Sequence, residues 1–357
     1  MLSVREDVGV STDTPDTDGR TGVLPAVVAS DPGTMAHNGL HGPLRGTPER
    51  VAGSIRRTTN LDLIRPEGPD GPIRITGRGR DLRTAADGRG IVRATALIAA
   101  TVEGDRVTAL TTHPRPPGIA DMVGRRAVVG WRTGLWRHLR GQHDAGTVLH
   151  LVLDDLPGGM IIGGFTRRRA IAESAGGPLP QPGRRLDVCA GWAAESRAAI
   201  TLAQTGIPPA PVTPLAPDLG CDTDSLAWHT LPELPAYGIS RRRRIDVLDT
   251  GEEVVAEAWF RDSFTDADGA HRVLHEYRVS VTADRGSYAV RHLSAHPRVL
   301  PHRECPVAAA SAQRMRGIPF GQLRERVSSD LFGPESCTHL NDLLRSLADV
   351  PGLLALG

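Results

Sequence analysis

The chain has 357 residues, enough for two domains of ordinary size, and a formal net charge of +1, so it has no overall electrostatic bias toward nucleic acid or an anionic membrane. All 42 lysine-plus-arginine positions are arginine, which excludes Schiff-base, pyridoxal-phosphate and P-loop lysine chemistry but leaves arginine to clamp carboxylates or phosphates. The apolar runs predict no transmembrane helix, the N-terminus no secretory signal, and four dispersed cysteines no disulfide scaffold, so a cytoplasmic protein is expected.

Residues 1–50 are rich in Asp, Thr, Gly and Pro and read as a disordered tail. A first module is expected at 51–173 and a Pro/Gly-rich linker at 174–237, with turn-rich stretches at 174–186 and 206–220. The linker holds one helix over 190–204, whose Trp192 is placed to anchor it on the first module. The second module spans 238–357. Its strands are predicted over 253–262, 272–283 and 287–295, and its helices over 306–315, 319–329 and 336–347. Strands followed by helices argue an α+β fold, with an antiparallel sheet covered by helices on one face.

The two modules run in parallel. I-R-R-T-T-N-L-D-L at 55–63 matches S-R-R-R-R-I-D-V-L at 240–248, and G-R-D-L-R-T-A-A-D-G at 79–88 matches F-R-D-S-F-T-D-A-D-G at 260–269. Each then has a β-rich run, an H-P-R (113–115, 296–298) and helical patterns, with His150 and His339 in similar places. The expectation is two tandem related modules forming an intramolecular pseudo-dimer. The first module is degenerate, because it has no cysteine and the position matching His275 falls near Ala94 or Thr95.

Alternation places Val273, His275, Tyr277, Val279 and Val281 on one face, with His275 turned toward the helices. Cys305 precedes Pro306 at a helix start, and Cys337 follows Ser336, read as an N-cap. A helix N-terminus lowers a thiol pKa, favouring thiolate as ligand or nucleophile. His275, Cys305, Cys337 and His339 are therefore the expected donors for zinc or iron. Cys337, His339 and Asp262 are the expected catalytic groups. The competing reading of each cysteine is a small buried hydrophobe. The R-D steps Arg80–Asp81 and Arg261–Asp262 read as cross-strand ion pairs, and Arg241–Arg244 as a charged, solvated edge strand or an acidic-group binder.

The segments R-R-R-I-D-V at 242–247, F-R-D at 260–262, H-E-Y-R-V-S-V at 275–281, Cys305 and C-T-H-L-N-D-L-L at 337–344 resemble the bacterial family DUF2889. The family's C-terminal mark reads G-C-T-H-L-x-E-L-L; here its Gly is Ser336 and its Glu is Asp342. The resemblance covers about 238–350 and implies no settled activity, so it marks a site without naming a reaction. A fainter likeness in order of elements is to the iron–sulfur cluster scaffold fold, with His275, Cys305 and Cys337 in the three ligand places. Two functions are expected from these residues. One is a metal- or thiolate-dependent enzyme acting on a small-molecule substrate. The alternative is a non-catalytic binding or scaffold protein with structural cysteines.

Overall fold

The structure, a computed structural model, describes residues 42–175 and 186–357. Among the described residues, eight antiparallel strands form one sheet: β1 Ile55–Ile64, β2 Ile73–Thr84, β3 Gly90–Glu103, β4 Arg106–His113, β5 Ile239–Asp249, β6 Glu253–Thr265, β7 His271–Asp284 and β8 Val290–Val299. Their order is β4-β3-β2-β1-β5-β6-β7-β8, so two four-stranded meanders meet where β1 pairs with β5, Leu63 opposite Ile239 and Ile55 opposite Val247. The α+β class is as expected.

The helices lie on one face of the sheet: α1 Trp131–His138, α2 Arg140–Asp144, α3 Val148–Asp154, α4 Leu156–Ala175, α5 Arg197–Thr205, α6 Leu323–Asp330, α7 Thr338–Ser346 and α8 Val350–Leu354. They cross the seam between the meanders: α4 packs on β1 and β5, and α8 packs on β5 and β1. The helical run Val148–Ser174 is long and apolar enough to cross a membrane by length and composition, although His150, Asp154, Asp155 and Pro157 interrupt its apolar residues. Its most apolar window is 78% buried inside the protein, as a core helix is.

The opposite face is covered too, which corrects two expectations. Residues 42–50, assigned to the tail, pack on β6 and β7: Leu44 joins Leu219, Trp228 and Trp259 in a small core, and the Leu44 amide donates to Glu276 at 2.7 Å. Residues 1–41 and 176–185 lie outside the described residues. The stretch read as a linker at 206–220 is a strap: Leu215 bridges to Arg272, and the Pro217 carbonyl accepts from Arg261 at 2.8 Å. Trp192 stacks edge-on against His302 at 5.5 Å, so its anchor is in the second meander and not the first.

Charge fills the centre of the sheet. Arg241–Arg244 are in β5, a central strand, so the edge-strand reading falls. Alternation puts Arg241 and Arg243 on the helix face and Arg242 and Arg244 on the strap face. Arg241 pairs with Asp262, Asp342 and Asp155, Arg243 with Asp155, and Arg244 with Asp246 and Glu257, so their charges are already matched. The aspartates of the R-D steps do form cross-strand ion pairs, Asp81 with Arg57 at 2.7 Å and Asp262 with Arg241 at 2.9 Å, whereas of the arginines Arg261 pairs with Glu276 and Arg80 donates to the Leu226 carbonyl.

Candidate functional site

The site begins with an irregularity in β7. Asp262 pairs with His275, but the next residue of β6, Ser263, pairs with Val273, so Leu274 is an extra residue. This β-bulge puts Leu274 and His275 together opposite Asp262 and turns Val273 to the other face, which strict alternation did not foresee. Bulges commonly re-aim a side chain in this way. His275 then faces the helices, as expected.

His339 comes from the first turn of α7. Ser336 was read as the N-cap, but its hydroxyl turns back to the Gly333 carbonyl at 3.0 Å. The cap position falls to Cys337, which is extended at φ −133°. This one-residue shift lays the His339 ring on His275, centroids 3.6 Å apart and 16° from parallel, with Phe260 on the other side at 6.2 Å. Arg241 covers Phe260 at 4.8 Å.

His275 Nδ1 is 3.7 Å from Asp262 Oδ2, and His339 Nε2 is 3.6 Å from the same oxygen. Among the described residues, Asp262, His275 and His339 are the group whose potential ligand atoms all lie within 4.8 Å of one another. His275 Nδ1 is buried without a hydrogen-bond partner. Burial, then the neighbouring His339, pushes His275 well below the usual histidine range, and burial with the Arg241 charge brings His339 to about 3. Both imidazoles are therefore neutral near pH 7, the form that ligates a metal.

The cysteines behave differently. Cys337 Sγ is 3.9 Å from His339 Nδ1, but neither Cys337 nor Cys305 joins the group of close donors. Burial pushes the Cys337 thiol up to about 11, although the Leu340 and His339 amides at the helix start pull the other way. Burial, then Cys337, pushes Cys305 well up too. The expected thiolates are neutral thiols because desolvation outweighs the helix terminus. All four cysteines are free.

Asp262 is also corrected as a catalytic group. It is fully buried, and both its oxygens accept from Arg241, at 2.9 and 3.2 Å. A general base must reach the proton it takes. Asp262 lies behind the histidines and does not line the cavity in front of them.

That cavity has a volume of about 710 Å³. Its floor includes His275, His339, Thr338, Cys305 and Cys337, and its far wall is Met160, Ile162 and Phe165 of α4. Sequence reasoning missed this wall because it comes from the first half of the chain.

Residues 239–352 match the family described as Protein of unknown function (DUF2889). No curated protein and no solved structure matches the chain. Asp262, His275 and His339 all fall inside the DUF2889 region, whereas α4 lies outside it. The floor of the cavity thus lies within the matched region, and the opposite wall lies outside it.

Proposed function

We propose that the DUF2889 region carries a metal site made by His275, His339 and Asp262, and that the protein is an enzyme acting on a small molecule held in the adjoining cavity. The convergence of His275 Nδ1 and His339 Nε2 on one Asp262 oxygen carries this reading. With metal–ligand bonds of about 2.0–2.2 Å, the ligands of a tetrahedral ion stand about 3.4 Å apart, close to the 3.6 and 3.7 Å seen here. Two imidazoles and one carboxylate suit zinc or non-haem iron. Such an ion would supply a Lewis acid or an activated water at the cavity floor. The rings lie 16° from parallel, so one must turn for both ring planes to contain the ion. Four free thiols agree with a reducing, cytoplasmic setting.

The test is titration of the full chain with cobalt(II), followed by its visible absorption. The expected result is one tightly bound ion, lost in His275→Ala and His339→Ala and kept in Cys337→Ala. No stoichiometric binding, or loss only with the cysteine, overturns the proposal. A second reading is favoured by the saturation of Asp262 by Arg241: a binding protein without turnover, whose stacked histidines close the cavity floor and whose cysteines pack. Absence of cobalt binding selects it.

We also propose that the chain is a fused pseudo-dimer. The bulge in β7 has a counterpart in β3, where Asp81 pairs with Ala94 and Leu82 with Val92. L-D-D-L-P-G at 153–158 recurs as L-A-D-V-P-G at 347–352. The aspartates of these two motifs reach across the seam, Asp155 to Arg241 and Arg243 and Asp349 to Arg57. On this spacing His150 matches Leu344 and not His339. Expressed as two chains divided within 176–185, the halves should copurify; independent monomers would refute the idea.

A further inference from the structure

The cavity carries a second message at its mouth. Val129, Ile161, Leu186 and Val188 all line it, and they are 56%, 53%, 45% and 39% exposed. Four large apolar side chains left in water around one opening mark a place where an apolar ligand enters. The volume of about 710 Å³ lies within the roughly 300–1,000 Å³ typical of small-molecule pockets.

Helix α4 sets the polarity of that ligand. Ile161, Gly164, Phe165 and Arg168 follow the i, i+3, i+4, i+7 spacing and line the cavity as one stripe. The stripe is apolar until its last member, whose guanidinium reaches back along the helix to lie beside Gly164. Arg168 is half-buried, and among the described residues it has no carboxylate partner; its one charged neighbour is Arg167. Burial and Arg167 both work against its charge. The other cation on the lining, Arg126, is already paired with Asp105 at 2.5 Å. One unmatched guanidinium at the edge of an apolar chamber calls for one monoanionic, planar head group. At Gly164 a Cβ would meet only Arg168 Nη1, at 3.4 Å, so this glycine leaves room beside the guanidinium for the ligand's head group.

We infer that the cavity binds an apolar carboxylate, its carboxyl group on Arg168 and its hydrocarbon body along the Ile161–Phe165 stripe toward His275 and His339. The inference names the substrate class for the proposed site, and rests on that reading only for what the floor does to the bound molecule.

The test uses decanoate and decanol, which share a body and differ in the charged head. Each is titrated calorimetrically into the full chain with a chelator present, so that the outcome does not depend on metal binding. Saturable binding of decanoate is expected. Arg168→Gln should weaken decanoate about tenfold or more and leave decanol unchanged. Gly164→Leu, whose side chain would press on the Arg168 guanidinium and enter the chamber, should weaken both. The inference is overturned if neither compound binds saturably, if Arg168→Gln leaves the preference for decanoate intact, or if Gly164→Leu changes nothing. A chain that binds decanoate but not cobalt(II) keeps this inference and loses the metal site. The reverse result keeps the metal site and loses this one.

Discussion

Arg241 is the residue through which the candidate site is tied to the fold, and its removal has a calculable consequence. Its side chain is fully buried and donates to Asp262 at 2.9 and 3.2 Å, to Asp342 at 2.8 Å and to Asp155 at 3.3 Å. Burial opposes the charge, but Asp262, Asp342 and Asp155 raise the guanidinium well above its ordinary range. In Arg241→Met, Asp155 keeps Arg243 and Asp342 keeps Arg132, whereas Asp262 is left with only two neutral imidazoles. One buried carboxylate without a partner should cost about 3–5 kcal/mol. Adding Asp262→Asn removes that stranded charge and should recover most of the loss. The measurement is urea unfolding at pH 7.5 of the wild type, both single variants and the double variant. If Asp262→Asn costs the same in both backgrounds, to within about 0.5 kcal/mol, the two groups are not coupled and the account of the site's support is wrong.

Two further predictions concern titration. His229 accepts from Thr58 at Nδ1 over 2.8 Å and donates from Nε2 to Asn60 over 2.6 Å, a neutral arrangement, because the Asn60 amide nitrogen is committed to Asp62. Burial, then Arg80, Arg78 and Arg242, lowers His229 to about 3. The unfolded chain takes up this proton first, so the group has no effect on stability above about pH 6.5 and removes stability as pH falls from there toward 3. At pH 5 the loss should be about 2 kcal/mol, read as a wild-type stability that falls more than that of His229→Gln between pH 7.5 and 5; parallel curves would refute it. Cys337, with its thiol pushed up to about 11, should react with iodoacetamide at pH 8 roughly 100-fold more slowly than an unperturbed cysteine. Peptide mapping by mass spectrometry reads this, and labelling of Cys337 at the rate of a free thiol would show that burial does not set its chemistry.

The parts of the fold that rest on local pattern were legible in the sequence. Apolar alternation placed β6, β7 and β8 to within a few residues, and the helix starts near Pro306 and Pro334 were found from capping residues and proline. What pattern could not show was burial of charge. Four consecutive arginines read as a solvated edge, because their partners Asp155, Asp342 and Glu257 are up to 101 residues away along the chain. The same limit applied to the straps, whose Pro-rich composition resembles a free linker but whose Leu44 and Leu219 complete a core with Trp228 and Trp259. His275 and His339 were found from their elements. The two cysteines were over-read, because helix-terminus chemistry was weighed without the desolvation that outweighs it.

The comparison of the two meanders separates scaffold from elaboration within the site. Both have the strand arginine, its cross-strand aspartate and a bulge immediately beyond that aspartate: Arg57, Asp81 and the β3 irregularity, then Arg241, Asp262 and the β7 irregularity. In both, an aspartate of the helical layer crosses the seam to the arginine, Asp349 in one case and Asp155, between α3 and α4, in the other. The first meander has Ala94 where the second has His275, so it has the ion pair without the imidazole. An arrangement present where there is no histidine cannot owe its presence to a metal. The Arg–Asp pair is therefore explained by the need to match a buried arginine on each of the two seam strands, and Asp262 belongs first to that task. The part of the site that calls for a functional explanation is the histidine pair, together with the cavity in front of it.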